Sequence, residues 1–190
     1  MREDNKKDSE VYIRILELED IPRTQAWLND ESLGEIMGYL PHSLLHQQDW
    51  FRKATIDQGR FIFAICEKDG DRHIGNVALG NIDYIHRNAM FSIFIAEQNL
   101  RGRGYGRVAT RLALDFGFNR LNLNKIFLRT SAEYQGALDF YRSLGFVQEG
   151  VLRKHEFKYG EYRDKYLFGM LKEEYLQNIK ESEAQWNNGQ

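Results

Sequence analysis

Leu100-Arg101-Gly102-Arg103-Gly104-Tyr105-Gly106-Arg107 is the stretch on which the reading of this chain turns. Three glycines alternate with Arg101, Arg103 and Tyr105, after an apolar run and before an amphipathic one. Glycine lets a backbone approach a ligand closely and adopt conformations other residues avoid. Val108, Leu112, Ala113, Phe116 and Leu121 then recur at helical spacing, which predicts a helix over Arg107–Arg120. The first amides of such a helix lack intrahelical acceptors and carry the positive end of its dipole. That makes the helix start a site for anions, phosphate above all. Arg101, Arg103 and Arg107 add positive charge in the same place. An ordinary tight turn with solvated arginines explains the glycine spacing alone equally well. Two other phosphate loops fit worse. A P-loop needs lysine and then serine or threonine after its last glycine, where Arg107-Val108 stands. A dinucleotide fingerprint needs a parallel βαβ unit near the start of the fold.

Upstream of the loop the texture is that of strands. Val11–Leu18 alternates apolar and polar positions, Arg60–Glu67 is β-branched and aromatic, and Lys68-Asp69-Gly70-Asp71 is a hairpin signal. His73–Ile82 and Ala89–Ala96 follow as further strands joined through 83–88, which completes an antiparallel meander. Before it, Asp20 caps an expected helix with Pro22 in its first turn. A second helix is expected over Leu45–Ile56, with Trp50 and Phe51 inward and Gln47, Asp49 and Lys53 outward. Downstream come a strand at Lys125–Thr130, a helix at Tyr134–Leu144 stopped by Gly145, and closing strands at Phe146–Gly150 and Tyr162–Leu171. The expected organisation is a charged arm at 1–9, one domain over 10–176, and a polar tail over 177–190.

Composition narrows the classes. The chain has 190 residues, enough for one domain, and 42% hydrophobic residues, enough for a core. Its net charge of -2 gives no global field for nucleic acid or anionic lipid, so neither is an expected partner. The single cysteine, Cys66, excludes a disulfide framework within one chain and reads as a buried core residue; no metal is expected. No apolar run approaches the ~20 residues of a membrane helix, and no secretory segment opens the chain, so a cytoplasmic protein is expected.

The ordered motifs carry a resemblance. Arg101-Gly102-Arg103-Gly104-Tyr105-Gly106 resembles the pyrophosphate loop of the GNAT superfamily of acyl-CoA N-acetyltransferases, with Arg101, Gly104 and Gly106 at the matching positions. Ala137-Leu138-Asp139-Phe140-Tyr141-Arg142-Ser143-Leu144-Gly145-Phe146 is similar to that family's A-x-x-x-Y-x-x-x-G-F signature. Gly150-Val151-Leu152-Arg153 and Gly160-Glu161-Tyr162-Arg163-Asp164 resemble its ribosomal-protein-acetylating branch. The resemblance covers roughly residues 11–176. It implies an α/β fold of the α+β type: a mixed, mostly antiparallel twisted sheet of about six to seven strands. About four helices flank that sheet, and strands four and five splay apart. It further implies acetyl-CoA as cosubstrate, with pantetheine on the backbone of Ile93, Phe94 and Ile95 and pyrophosphate on the amides of Arg101–Gly106. Tyr134 stands where relatives often carry an asparagine that binds the CoA arm, and Ala137 lies in the same helix as the family tyrosine.

Acetyl transfer to an amine needs a neutral nucleophile, a stabilised oxyanion and a proton for the leaving thiolate. Tyr141 matches the family tyrosine near the thioester sulfur, so the resemblance implies that it is the general acid. Met90 stands where many relatives have a glutamate base, which leaves Asp83, His86, His155 or a water for that task. Trp27-Leu28-Asn29-Asp30 and Gln48-Asp49-Trp50 look similar to amino-sugar acetyltransferases. Aromatic residues such as Trp27, Trp50, Tyr84, Phe157 and Tyr162 suit a nucleotide-linked amino sugar. A polyamine would require a concentration of carboxylates. The expected function is therefore acetyl transfer to a small amine of that kind. A protein N-terminus and a non-catalytic acyl-CoA-binding module are the alternatives, and the expected assembly is a monomer or homodimer.

Overall fold

The period-two stretches form seven strands: β1 (Val11–Ile15), β2 (Phe61–Glu67), β3 (His73–Asp83), β4 (Asn88–Ile95), β5 (Lys125–Ser131), β6 (Val147–Lys158) and β7 (Glu161–Leu171). They hydrogen-bond in the order β1-β2-β3-β4-β5-β7-β6. β1–β2, β2–β3, β5–β7 and β6–β7 are antiparallel and β4–β5 is parallel, so the sheet is mixed as expected. The computed structural model describes residues 10–187 except Tyr39. The expected arm at 1–9 and residues 188–190 lie outside the described residues.

Six helices stand among the described residues, against about four expected: α1 (Ile21–Leu28), α2 (Glu31–Met37), α3 (Leu44–Ile56), α4 (Tyr105–Asp115), α5 (Gln135–Ser143) and α6 (Lys172–Asn187). The two additional ones, α2 and α6, carry weak apolar patterns. α2 is only seven residues long, with Asp30 accepting from the amides of Ser32 and Leu33 at its start. α6 occupies 177–187, where a polar tail was expected. It is fastened by Glu174, which accepts the Leu171 amide at 2.7 Å, and by Tyr175, which stacks on Phe118 at 4.8 Å.

By contact density the chain forms two compact units. The first comprises the residues through Ile82 together with Ser92–Asp115. Its core gathers Leu16, Ile21, Phe51, Ala64 and Cys66, with Tyr12, Trp50 and Ile62 packed against it. Cys66 is fully buried, and burial pushes its thiol pKa up, as suits an inert core residue. Gly70 and Asp71 both take positive φ in the hairpin turn, as the sequence signalled. The expected Asp20 cap takes another form. Its carboxylate accepts from the Arg14 guanidinium at 2.7 and 2.9 Å and from the Glu17 amide at 2.9 Å, and it makes no cap bond to α1. Gln47, expected outward, is buried because its side-chain amide meets His42.

The second unit comprises Asp83–Phe91 and the residues from Phe116 onward. Phe118, Ile126, Leu128, Leu138, Phe146, Phe168 and Met170 are buried there. β6 runs to Lys158 rather than stopping at Gly150. Register shifts at Gln148/Gly150 and Leu152/Glu156 break the alternation that would have shown it in sequence. The β4–β5 ladder covers only Asn88–Met90 against Lys125–Phe127. β4 itself runs on to Ile95.

Candidate active site

The glycine loop lies in the first unit, at the end of β4. Gly102 and Gly104 sit at φ 75° and 90°, in the left-handed region that glycine takes without strain. A Cβ at Gly102 would meet nothing within 4 Å, so the loop surface there is open. α4 begins at Tyr105, two residues earlier than expected, and thereby draws Tyr105 and Gly106 into its first turn. The Arg107 and Val108 amides both bond the Gly104 carbonyl, at 3.0 and 3.2 Å. The amides of Tyr105 and Gly106, in the first turn before them, belong to the part of a helix that has no intrahelical acceptor.

Arg101 does more than add charge. Its Nε donates to the Ile95 carbonyl at 3.0 Å and its guanidinium to Ala96 at 3.1 Å. It thus ties the loop to the end of β4, where Ile93, Phe94 and Ile95 lie half-buried. At Gly75 the backbones of β3 and β4 come so close that a Cβ would stand 2.2 Å from the Phe94 carbonyl oxygen. Sequence reading brought these residues together and the structure does the same. Arg103 is exposed beside them.

A cavity of about 440 Å³ opens on the same unit. Its walls come from α1 (Thr24, Leu28), the segment before α3 (Leu40, Pro41, His42), α3 (His46, Gln47, Trp50), β2 (Arg60, Ile62), β3 (Asn76–Ala78) and β4 (Ser92, Phe94). The Phe94 side chain therefore faces this cavity, with the edge of Trp27 at 6.2 Å. The Gln25 and Asn29 amides both donate to the His42 carbonyl at 2.8 Å, and the His42 amide donates to Asn29 at 3.1 Å, so this wall is fixed. His42 Nδ1 donates to the Leu40 carbonyl at 3.0 Å, and its Nε2 meets Gln47. Among the described residues no aspartate or glutamate lines the cavity; its ionisable side chains there are His42, His46 and Arg60. Sequence reading missed both histidines as site residues. Their spacing of four across the start of α3 was the signal available.

In the second unit, Tyr141 and Ala137 stand one turn apart on α5. Phe91, Phe146 and Phe168 surround the Tyr141 ring at 6.5, 5.9 and 6.3 Å. Burial pushes its phenol pKa up to about 12, so the group is protonated at neutral pH. Its hydroxyl has no hydrogen-bond partner among the described residues and is free to donate. Tyr134 caps the start of α5 through its carbonyl, which accepts from Ala137 and Leu138 at 2.9 and 3.0 Å. Its hydroxyl already accepts from Lys158, whose ammonium also lies 5.1 Å from the ring centroid. Met90 receives an Arg129 N–H at its sulfur. Asp83 accepts the Ile85 and His86 amides at 2.9 and 2.8 Å, which is a turn-forming role, while His86 and His155 are exposed. Among the described residues no group of three His, Cys, Asp or Glu is placed to hold a metal ion.

Comparison with known proteins bears on the family. The family model described as an acetyltransferase (GNAT) domain matches residues 10–147. A spermidine N(1)-acetyltransferase of Escherichia coli (strain K12) is 33% identical over 171 residues, covering 90% of each chain. The crystal structure of spermidine N-acetyltransferase from Vibrio cholerae with CoA and spermine superposes with a TM-score of 0.84 at 31% identity, covering 88% of this chain and 99% of that one. A dodecameric structure of the Vibrio cholerae enzyme gives 0.79 at 30% identity, covering 90% and 98%. These relatives are named for spermidine; the ribosomal-protein branch expected from sequence is not singled out.

Proposed function

The chain belongs to the GNAT acetyltransferases, and on that premise we propose which amine it acetylates and which residues carry the transfer. It is an acetyl-CoA-dependent N-acetyltransferase that moves an acetyl group to an amine. The preferred acceptor in our reading is a small molecule other than a polyamine, of the kind found in nucleotide-linked amino sugars. One observation carries this: among the described residues the cavity beside Phe94 is walled by aromatic and aliphatic side chains with Arg60, and by no carboxylate. A polyamine held there would bring a spare ammonium charge towards Arg60 with no counter-charge among the described lining residues. The relatives' names favour spermidine as the second reading.

Acetyl-CoA fits the first unit through the amides of Gly102–Gly106 for its pyrophosphate, the expected Arg101 amide being taken by the Gln98 carbonyl at 3.1 Å, and through the backbone of Ile93–Ile95 for pantetheine. Arg101 shapes that cradle by holding β4 and the loop together. Tyr141 donates its phenolic proton towards the charge that develops on the departing sulfur. A phenol near 12 is a reluctant acid, but the burial that raises it also raises the thiol it serves. Tyr134 cannot simply replace the family asparagine, because its hydroxyl is engaged by Lys158. Both ring nitrogens of His42 are engaged, by Leu40 and Gln47, so the acceptor's proton passes to water or to His46 on the cavity wall.

Free-thiol release from acetyl-CoA with spermidine, a nucleotide-linked amino sugar and a short peptide tests the reading. Turnover of the sugar with little use of spermidine is expected; preferential turnover of spermidine overturns it. For assembly we propose an oligomer larger than a homodimer, on the strength of the dodecameric relative.

A further inference from the structure

Arg60 is unusual among the charged side chains of the first unit. It stands at the start of β2, half-buried, with its guanidinium carbon 5.8 Å from the Trp50 ring centroid. Its Nε is buried and makes no hydrogen bond, and no carboxylate pairs with it among the described residues. Arg163 also has an unbonded Nε, but that guanidinium is paired with Glu133 and Glu161. Arg60 has only the aromatic face and its own backbone bond to Asp57. A buried charged donor without an acceptor costs folding free energy, and an aromatic face stabilises the cation without using its N–H groups. The arrangement therefore leaves a rigid, planar donor fork facing the cavity that Arg60 lines. Opposite it in the sheet is Gly80, where even a Cβ would lie 3.8 Å from the guanidinium carbon, so no side chain competes for the fork.

Its position separates it from the CoA phosphates. Gly75 approaches Phe94 at the pantetheine end of β4, and Gly75 pairs with Ile65 across β2. Arg60 lies five residues further along β2, roughly 16 Å away at about 3.3 Å per residue. Ser92 and Phe94 of β4 line the same cavity as Arg60 and Trp50.

We propose that Arg60, stacked on Trp50, is the acceptor-binding anchor for an oxyanion, so that the amine this protein acetylates carries a phosphate or carboxylate group at its far end. The amine then points towards Phe94 while the guanidinium holds the anion bidentately. The described lining of the cavity, which has Arg60 and no carboxylate, agrees with an anionic rather than a cationic tail. This inference rests on the cavity being the acceptor site.

The test uses acceptors that share one chain and differ only at the far end: 6-aminohexyl phosphate, 6-aminohexanoate, hexylamine and 1,6-diaminohexane. With the full chain and acetyl-CoA, an anionic member is expected to exceed hexylamine in kcat/KM by about 10- to 100-fold, the range of one charged hydrogen-bonded pair. The diamine should be poorest. Arg60→Gln should erase the anion's advantage over hexylamine, while Arg60→Lys keeps part of it. Equal use of hexylamine and the anions, or a uniform loss across all four amines in Arg60→Gln, overturns the anchor. Calorimetric titration of 6-aminohexyl phosphate into the CoA-bound protein separates the two layers. Arg60-dependent binding without turnover of any amine keeps the anchor and overturns the cavity as acceptor site. Absence of both binding and turnover overturns both.

Discussion

At the scale of residues, the Tyr141 hydroxyl is the atom whose removal is most informative. Tyr141→Phe keeps the ring among Phe91, Phe146 and Phe168 and deletes only the donor. We expect kcat to fall by about 10²-fold, with acetyl-CoA affinity and thermal stability unchanged. An unaltered rate removes Tyr141 from the chemistry. Because its pKa is pushed up to about 12, Tyr141 should stay protonated through pH 10, so any alkaline loss of rate below that pH arises elsewhere. His73 gives a second test. Burial lowers its pKa, although its hydrogen bond to Asn76 and the nearby Asp20 act the other way. The unfolded chain therefore binds a proton there before the folded one does. Stability should fall as pH drops below the ordinary histidine range of about 6.5. His73→Gln should flatten that slope in urea titrations between pH 7 and 5; an unchanged slope rules out His73 as its source. Sequence made Tyr141 legible because its neighbours are local, one helix turn and a glycine stop away. Arg60, His42 and His46 were not legible as site residues. Their significance comes from partners brought in by β3 and β4, and from the absence of an acid, which no local pattern records.

At the scale of elements, the loop from β4 into α4 has to do two things: open its amides to an anion and stay fixed to the strand. Gly104 serves the first with φ 90° and Arg101 the second. Gly104→Val forces a β-branched residue into the left-handed region, at about 1–3 kcal/mol. It should weaken CoA binding by roughly tenfold or more, through loss of the amide cradle. Calorimetry beside circular dichroism checks both effects; normal CoA affinity in a folded variant refutes the phosphate-loop assignment. Gly75→Ala is expected to displace β4, since no room exists before the Phe94 carbonyl. Strands β2 to β5 and helices α4 and α5 were legible because their period is clean and their ends carry glycine or charge. The length of β6 was hidden by its two register shifts, and α6 by a polar sequence whose buried anchor is Tyr175.

At the scale of the molecule, overall composition was a poor guide to the site. A net charge of -2 sits beside a cavity whose charged side chains are all basic or imidazole. No helix among the described residues is long and apolar enough to cross a membrane. Light scattering on the purified chain should give a mass well above that of a homodimer, and a monomer would refute the proposed assembly. The account stands or falls on acceptor choice, and the ratio of kcat/KM for a nucleotide-linked amino sugar to that for spermidine measures it directly. A cavity with Arg60 and no carboxylate among its described lining residues predicts a ratio well above one. A ratio well below one, with spermidine turned over efficiently, would contradict it.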